Sequence, residues 1–478
     1  MSPSPSAVPP VPDQLTGPWY KLLTRYHWFV FIVAALGWLF DTMDQQLFNL
    51  ARRPSMLELL PKTPGLGAAD LSPELFKGLV AEYSGYATAI FLLGWATGGL
   101  TFGVLGDRFG RARVMMWTIL AYSLCTGLSA FSVSFWDFAF YRFLTGLGVG
   151  GEFAVGVALV AEVMPEKARP FALGWLQALS AVGNISAALI SMSLGHLEQS
   201  GVVGGLSIGG FQMTAWRLMF VVGTVPALLA VVIRSKLREP ERWQQAAHTR
   251  VGQKVLSLYG NLFGDPRWRK NAIVGMFLAF SGVVGLWGIG FFSFDLLQLV
   301  FRKKFEGQNL TPEQIAGELS FWSGVASVVQ NVGGFFGIYA FSRITHVIGR
   351  RKAFAISFIA AMLSTAFVFW NLDEFSEIFW MLPLMGFCQL MIFGGYAIYF
   401  PELFPTSLRS TGTSFCYNVG RFVAALGPFT FGLLTSKVFI GMEHEPMRYA
   451  GVAMSAIFVL GLAVLPFAPE THGKPLPE

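Results

Sequence analysis

The chain has 478 residues, of which 54% are hydrophobic and 13% charged, and carries a net charge of +6. Soluble globular proteins are roughly 25% charged, so this composition excludes an ordinary soluble enzyme, a disordered chain and a disulfide scaffold. The positive balance does not imply nucleic acid, because Lys and Arg sit at the ends of apolar runs, where membrane topology puts them.

Residues 1–27 read as a disordered cytoplasmic tail, Pro/Ser-rich at the start and without the apolar core of a signal peptide. Apolar segments follow at about 28–50, 80–105, 114–134, 136–161, 169–195 and 214–234, each near the roughly 20 residues a spanning helix needs. A polar, basic stretch at 235–270 reads as a cytoplasmic linker. Six more segments lie at about 271–300, 318–343, 353–371, 378–400, 409–435 and 449–468, and 469–478 reads as a second cytoplasmic tail. The expected fold is an all-α membrane protein with twelve transmembrane helices in two six-helix bundles, 28–234 and 271–468.

With the N-terminus inside, Lys and Arg number 22 in the inner segments against nine in the outer loops. That bias places both termini in the cytoplasm. The halves also repeat. Glu162-x2-Pro165-x3-Arg169 follows the fourth segment, and Glu402-x2-Pro405-x3-Arg409 follows the tenth, 240 positions later. Asp107-Arg108-Phe-Gly110-Arg111 after the second segment matches Arg343 with Gly349-Arg350-Arg351 after the eighth. Glu239-Pro240 and Pro469-Glu470 close the two halves. A parallel repeat of six-helix halves is a transporter architecture, with its site at the midplane between them.

Three motifs carry a family resemblance. Gly103-Val-Leu-Gly106-Asp107-Arg108-Phe-Gly110-Arg111-Ala-Arg113 resembles the loop signature of the major facilitator superfamily. Arg142-x3-Gly146-x-Gly148-x-Gly150 resembles its fourth-helix signature, and Pro469-Glu470-Thr471-His472-Gly473 its closing motif. Asp41-Thr-Met-Asp44, Gly150-Gly151-Glu152 and Tyr417-Asn418-Val-Gly420 are similar to bacterial proton-linked carriers of sialic acid and other organic acids. The resemblance implies a bacterial inner membrane. It also implies that Asp107, Arg108, Arg111 and Arg113, joined by Glu162, Arg169, Glu402 and Arg409, form a conformational gate on the inner face. The second-half loop departs from the pattern: Phe341-Ser342 stand where an acid would precede Arg343, and extra residues precede Gly349. The second half is therefore expected to lack the symmetric ion pair.

Asp41 and Asp44 share one helix face at i, i+3. Two neighbouring carboxylates in hydrocarbon cannot easily both ionise, so one is expected to hold a proton. Pairing of one Asp with a buried Arg is the structural alternative. Glu152 is a second candidate for proton coupling, or a charge partner of Arg142. Gly146, Gly148 and Gly150 are expected to serve close helix packing.

Arg421 points to substrate, because a buried guanidinium offers a planar fork suited to a carboxylate. The alternative is an ion pair with Asp41 or Asp44. Tyr417, Asn418, Gln177, Asn184, Trp287, Gln330, Asn331, Gln389 and Tyr396 are candidate cavity groups, polar or amphipathic side chains at helical spacing in apolar segments. Each can equally make an interhelical hydrogen bond.

No Walker A sequence, metal-ligand spacing or nucleophile triad is present, so neither an enzyme nor a cofactor is expected. The reading is a proton-coupled symporter of a small organic anion, active as a monomer by alternating access. A sugar or polyol carrier and a drug or metabolite exporter working by proton antiport remain the rivals.

Overall fold

The computed structural model describes residues 18–66, 72–199, 203, 206–248, 257–305, 312–424, 430–431, 434–439, 441–442 and 444–477. The expected tail at 1–17 lies outside these residues. From Pro18 the chain is built: Trp19–Leu22 makes one 3-10 turn and α1 (Arg25–Leu59) starts behind a Thr24 cap.

The first half continues through α2 (Pro73–Phe109), α3 (Arg111–Ser129), α4 (Phe135–Val163) and α5 (Arg169–Gln199). Its sixth span is broken at residues 223–226 into α6 (Ala215–Val222) and α7 (Ala227–Lys236). Two short helices follow, α8 (Glu241–His248) and α9 (Ser257–Gly264). The stretch read as a linker is thus largely helical.

The second half opens with α10 (Pro266–Val283), which passes through a π-helical turn at Val284–Ile289 into α11 (Gly290–Phe305). It continues with α12 (Pro312–Ile348), α13 (Arg350–Asn371), α14 (Ile378–Glu402) and α15 (Arg409–Ala424). Its last span is α16 (Pro446–Ser455) with α17 (Ile457–Val464). Ten helices among the described residues are long and apolar enough to cross a membrane. The other two spans are α3, whose start carries two arginines, and α15, which is rich in Ser and Thr. Ser207–Ile208 pairs with Phe211–Gln212 across Gly209 and Gly210, both at positive φ.

Glycines set how closely the helices approach. In the first half a Cβ at Gly94 or Gly98 of α2 would strike the carbonyls of Phe143 or Leu147 of α4. From α4, Gly146 and Gly150 lie against the backbone of α2, and Gly148 against that of α3. The second half repeats this: Gly333 and Gly337 of α12 meet the carbonyls of Pro383 and Phe387, and Gly386 of α14 meets that of Gln330. Each half is locked by backbone-to-backbone contact, which only small residues permit.

The halves meet along two seams. On one, α2 packs on α15, with Gly103 against Ser414. On the other, α12 packs on α5, with Gly174 against Ser342.

Candidate functional site

The centre of the bundle holds a group of fully buried charges. Asp41 and Asp44 of α1, Arg142 and Glu152 of α4 and Arg421 of α15 are each 2% exposed or less. They divide into two sets.

In the first set, Asp44 accepts a hydrogen bond from Thr126 Oγ1 at 2.7 Å and lies 4.0 Å from the Arg142 guanidinium. Arg142 donates to Ser129 Oγ at 2.8 Å and Thr145 Oγ1 at 3.1 Å. The Phe220 ring stands 4.6 Å from it. Asp44 is therefore the carboxylate that pairs with a buried arginine, and its partner is Arg142.

The second set is less satisfied. Neither oxygen of Asp41 nor of Glu152 has a hydrogen-bond partner, although all four are buried. Glu152 lies against Gly37, one helical turn before Asp41, where any side chain would displace it. The charges that act on Asp41 are those of Glu152, Asp44 and Arg421. The Tyr122 hydroxyl is also buried and unpartnered, with Asp41, Glu152 and Asp44 around it.

Two aromatic rings lie close to Arg421. Its guanidinium carbon is 3.9 Å from the Trp95 ring and 4.2 Å from the Tyr417 ring. One nitrogen donates to the Tyr417 carbonyl at 3.1 Å and to Asn418 Oδ1 at 2.8 Å, both within its own helix. Its Nε has no partner, and it forms no ion pair among the described residues. Asn418 fits because Gly99 leaves room for it. Phe153 stacks on Tyr417 at 4.4 Å and Trp38 stands 4.5 Å from Phe153, extending an aromatic wall.

The remaining candidates separate. Asn184 donates to Asn331 Oδ1 at 2.9 Å, linking α5 to α12, and Gln46 reaches Ser327 at 3.4 Å between α1 and α12. Gln177 is buried with an unpartnered Oε1. Gln330 is half-buried, with its backbone against Gly386. Gln389 instead donates to Thr365 at 2.7 Å, and Tyr396 to the Leu278 carbonyl at 2.5 Å, both inside the second half. The side chain of Trp287 lies outside the described residues.

At the end of the bundle where α2 meets α3, a charged network closes the seam between the halves. Arg111 pairs with Asp107 at 2.6 Å and Glu162 at 2.9 Å, and Arg409 of the other half pairs with the same Glu162 oxygen at 3.0 Å. Asp107 also accepts from the Ser410 and Thr411 amides at 3.3 and 2.7 Å and from Thr411 Oγ1 at 2.5 Å. It caps α15 from the opposite half, where a carboxylate is favoured. Arg169 and Arg409 donate to the carbonyls of Ala161 and Pro401, eight residues earlier in each case. Arg113 contributes its amide rather than its charge, donating to Glu239 at 3.1 Å.

As expected from the missing loop acid, the Asp107–Arg111 pair has no second-half counterpart among the described residues, but a different pair of the network does repeat. Arg350 binds Glu402 through two nitrogens at 3.1 and 2.8 Å, repeating Arg111 with Glu162. Gly110 and Gly349, both at positive φ, head α3 and α13. Glu239 and Glu470 cap those helices in turn, on the amides of 112 and 113 and of 350 and 351. Only the counterpart of Asp107 is absent: three residues before Gly349 stands His346.

Two residues that pattern reading missed belong to the same repeat. Arg217 donates to the carbonyls of Ala130 and Ser132 at the end of α3, and Arg448 to those of Trp370 and Leu372 at the end of α13. Each places a cation at a helix C-terminus. Their shared signal was an arginine early in the last span of each half.

A family model, the Major Facilitator Superfamily, matches residues 72–428. The chain belongs to that superfamily. It is a transporter and not an enzyme. It is similar to the cis,cis-muconate transport protein of Acinetobacter baylyi, 30% identical over 82% of this chain and 86% of that one. It is also similar to the sialic acid transporter NanX of Escherichia coli, 26% identical over 92% of this chain and 95% of that one. Among solved structures the proton:xylose symporter XylE superposes with a TM-score of 0.68, covering 94% of this chain and 98% of that chain at 16% identity. That likeness speaks to the fold alone. Twelve helices in two six-helix bundles are the architecture of this superfamily member.

Proposed function

We propose that this transporter couples the movement of a small organic anion to protons by alternating access. One observation carries the reading: Arg421 is buried at the junction of the halves beside the rings of Trp95 and Tyr417, with no ion pair among the described residues and its Nε unpartnered. A buried guanidinium without a counter-ion is unfavourable unless something supplies the charge. Its unpartnered Nε edge would take a carboxylate in the plane of the fork. The anion would lie between Arg421, Asn418 and Gln177, with Asn184, Gln330 and Asn331 on the facing helices. Gln389 and Tyr396, engaged elsewhere, are left out of this set.

Asp41 and Glu152 hold the proton in this reading, because the two buried acids repel each other and none of their oxygens accepts a hydrogen bond, with Arg421 the opposite charge that acts on Asp41. Asp44 is held by Thr126 and Arg142 and positions α1 against α4. The muconate and sialic acid carriers both take acids by name, which supports a carboxylate substrate here. The charged network then faces the cytoplasm with both termini, in a bacterial inner membrane. The stretch 235–270 ties together two halves that rock about the central group, and one chain supplies every group used.

The test is uptake into proteoliposomes under an imposed inward proton gradient. The panel compares monocarboxylates, a dicarboxylate, sialic acid, aromatic acids and a neutral sugar. An acid should accumulate only with the gradient, and Arg421→Lys should lower its uptake roughly tenfold to a hundredfold, because an ammonium cannot form the bidentate pair. Accumulation of the neutral sugar, or full activity of Arg421→Lys, would overturn the reading.

A further inference from the structure

The repeat pairs the two seams of the charged face residue by residue, and they close differently. In the α2–α15 seam, Asp107 meets Ser410 and Thr411, the two residues after Arg409. The residues after Arg169 in the α12–α5 seam are Pro170 and Phe171, and His346 takes the place of Asp107. Proline has no N–H to donate. Phe171 brings a ring in place of the threonine hydroxyl. Two of the three donors that α15 offers Asp107 thus have no counterpart, and a carboxylate at 346 would be less well satisfied from α5.

What fills the position is aromatic. The His346 ring lies 5.1 Å from that of Phe171, inclined at 55°. The Arg343 guanidinium is 5.8 Å from the same ring, and Trp19, from the turn before α1, stacks on it at 6.0 Å and 10°. Phe171 is only 7% exposed. The His472 ring meets the His346 carbonyl at 2.9 Å, so the C-terminal segment backs the contact from behind. One turn deeper, Gly174 and Ser342 touch as Ser414 and Gly103 do in the other seam.

We infer that Phe171 and His346 form the second latch of this face, an aromatic closure in the place where the repeat sets a capped helix on the other side. The inference rests on the alternating-access reading above, because a latch has meaning only if the face opens. Phe171 and His346 are positioning residues: they bias the closed state and touch no substrate. The two seams therefore answer to different perturbations. Removing one charge releases α2 from α15, whereas removing a ring face releases α12 from α5.

The experiment labels a cysteine introduced at the buried seam position 342 (Ser342→Cys) with N-ethylmaleimide in proteoliposomes, and reads each cysteine by peptide mass spectrometry. Phe171→Ala and His346→Ala should each raise the labelling rate roughly two- to tenfold, the range of an aromatic pair. The double variant should add little to the larger single effect, since both remove one contact. Phe171→Tyr should stay at the wild-type rate. Phe171→Leu keeps apolar volume and should open the seam as alanine does. If the leucine variant labels like wild type, the contact is plain packing and the latch is wrong. An unchanged rate in His346→Ala overturns it equally. Asp107→Asn runs in parallel with a reporter cysteine in the other seam, Ser414→Cys, which faces Gly103. If it alone raises labelling, the face alternates and only the latch inference falls. If no variant does, the alternating-access reading falls with it.

Discussion

At the scale of single residues, three carboxylates that look alike in the sequence have different partners. Asp44 has Thr126 and an arginine beside it, whereas Asp41 and Glu152 have no hydrogen-bond partner. Leaving a buried charge unpaired is strongly unfavourable, while a neutral carboxyl group is far less so. Replacement of Asp41 by Asn or Glu152 by Gln should therefore leave folding near wild type, or stabilise it, while abolishing gradient-driven accumulation. Exchange of substrate across the membrane without a gradient should survive in at least one of the two. Asp44→Asn should behave oppositely. It strands Arg142, which pairs with no other carboxylate among the described residues, and should lower stability by about 3 kcal/mol. Thermal unfolding in detergent beside uptake separates these outcomes. Equal loss of stability in all three variants would defeat the division of roles.

At the scale of elements, the helix ends and crossings repeat between halves more faithfully than the loops between them. Gly98 and Gly337 occupy equivalent crossings, each against a backbone carbonyl. Gly98→Val and Gly337→Val should each destabilise by about 3 kcal/mol through overpacking, seen as a loss of monodisperse protein on heating. The caps on α3 and α13 share geometry but differ in acidity. Burial lifts the Glu239 carboxyl above the ordinary glutamate value of 4.5, against the pull of the Ala112, Arg113 and Arg111 amides. Burial acts on Glu470 too, but the amides of Arg350, His472 and Arg351 outweigh it and hold that carboxyl below 4.5. The raised Glu239 favours the fold below 4.5, an advantage lost as pH rises through its folded value. The lowered Glu470 favours the fold above 4.5, and that is lost as pH falls through its folded value. On acidification Glu239 takes its proton first. Hydrogen-exchange protection at residues 350 and 351, corrected for intrinsic rates, should fall as pH drops through the folded value of Glu470, whereas protection at 112 and 113 should hold or rise. Simultaneous loss at both caps would contradict this.

At the scale of the whole molecule, the charged face is joined across the halves by Asp107 on the start of α15 and by Arg409 on Glu162. Both contacts must break if that face is to open. Asp107→Asn keeps the shape of the cap but removes its charge. Helix-cap and dipole magnitudes of about 1 kcal/mol then predict a roughly fivefold shift toward the state open on this face. Distance measurements between spin labels on α2 and α15 should show a longer separation gaining population. An unchanged distribution would mean that Asp107 serves folding rather than gating.

Length, composition and the positions of Lys and Arg were enough to read twelve spans in two repeated halves, because a hydrocarbon slab imposes span length and helical backbone on any chain that crosses it. The motifs Glu162 to Arg169 and Glu402 to Arg409 were legible for the same reason that they repeat: each closes a helix end locally. Partners were not legible. Which carboxylate Arg142 meets, that Gln389 turns inward to Thr365, that Arg217 and Arg448 bind the ends of helices about 80 residues earlier, and that Phe171 rather than an acid faces His346, all depend on how helices distant in sequence lie side by side. Helical period places a residue on a face of its own helix; only the packing of helices on one another decides what that face meets.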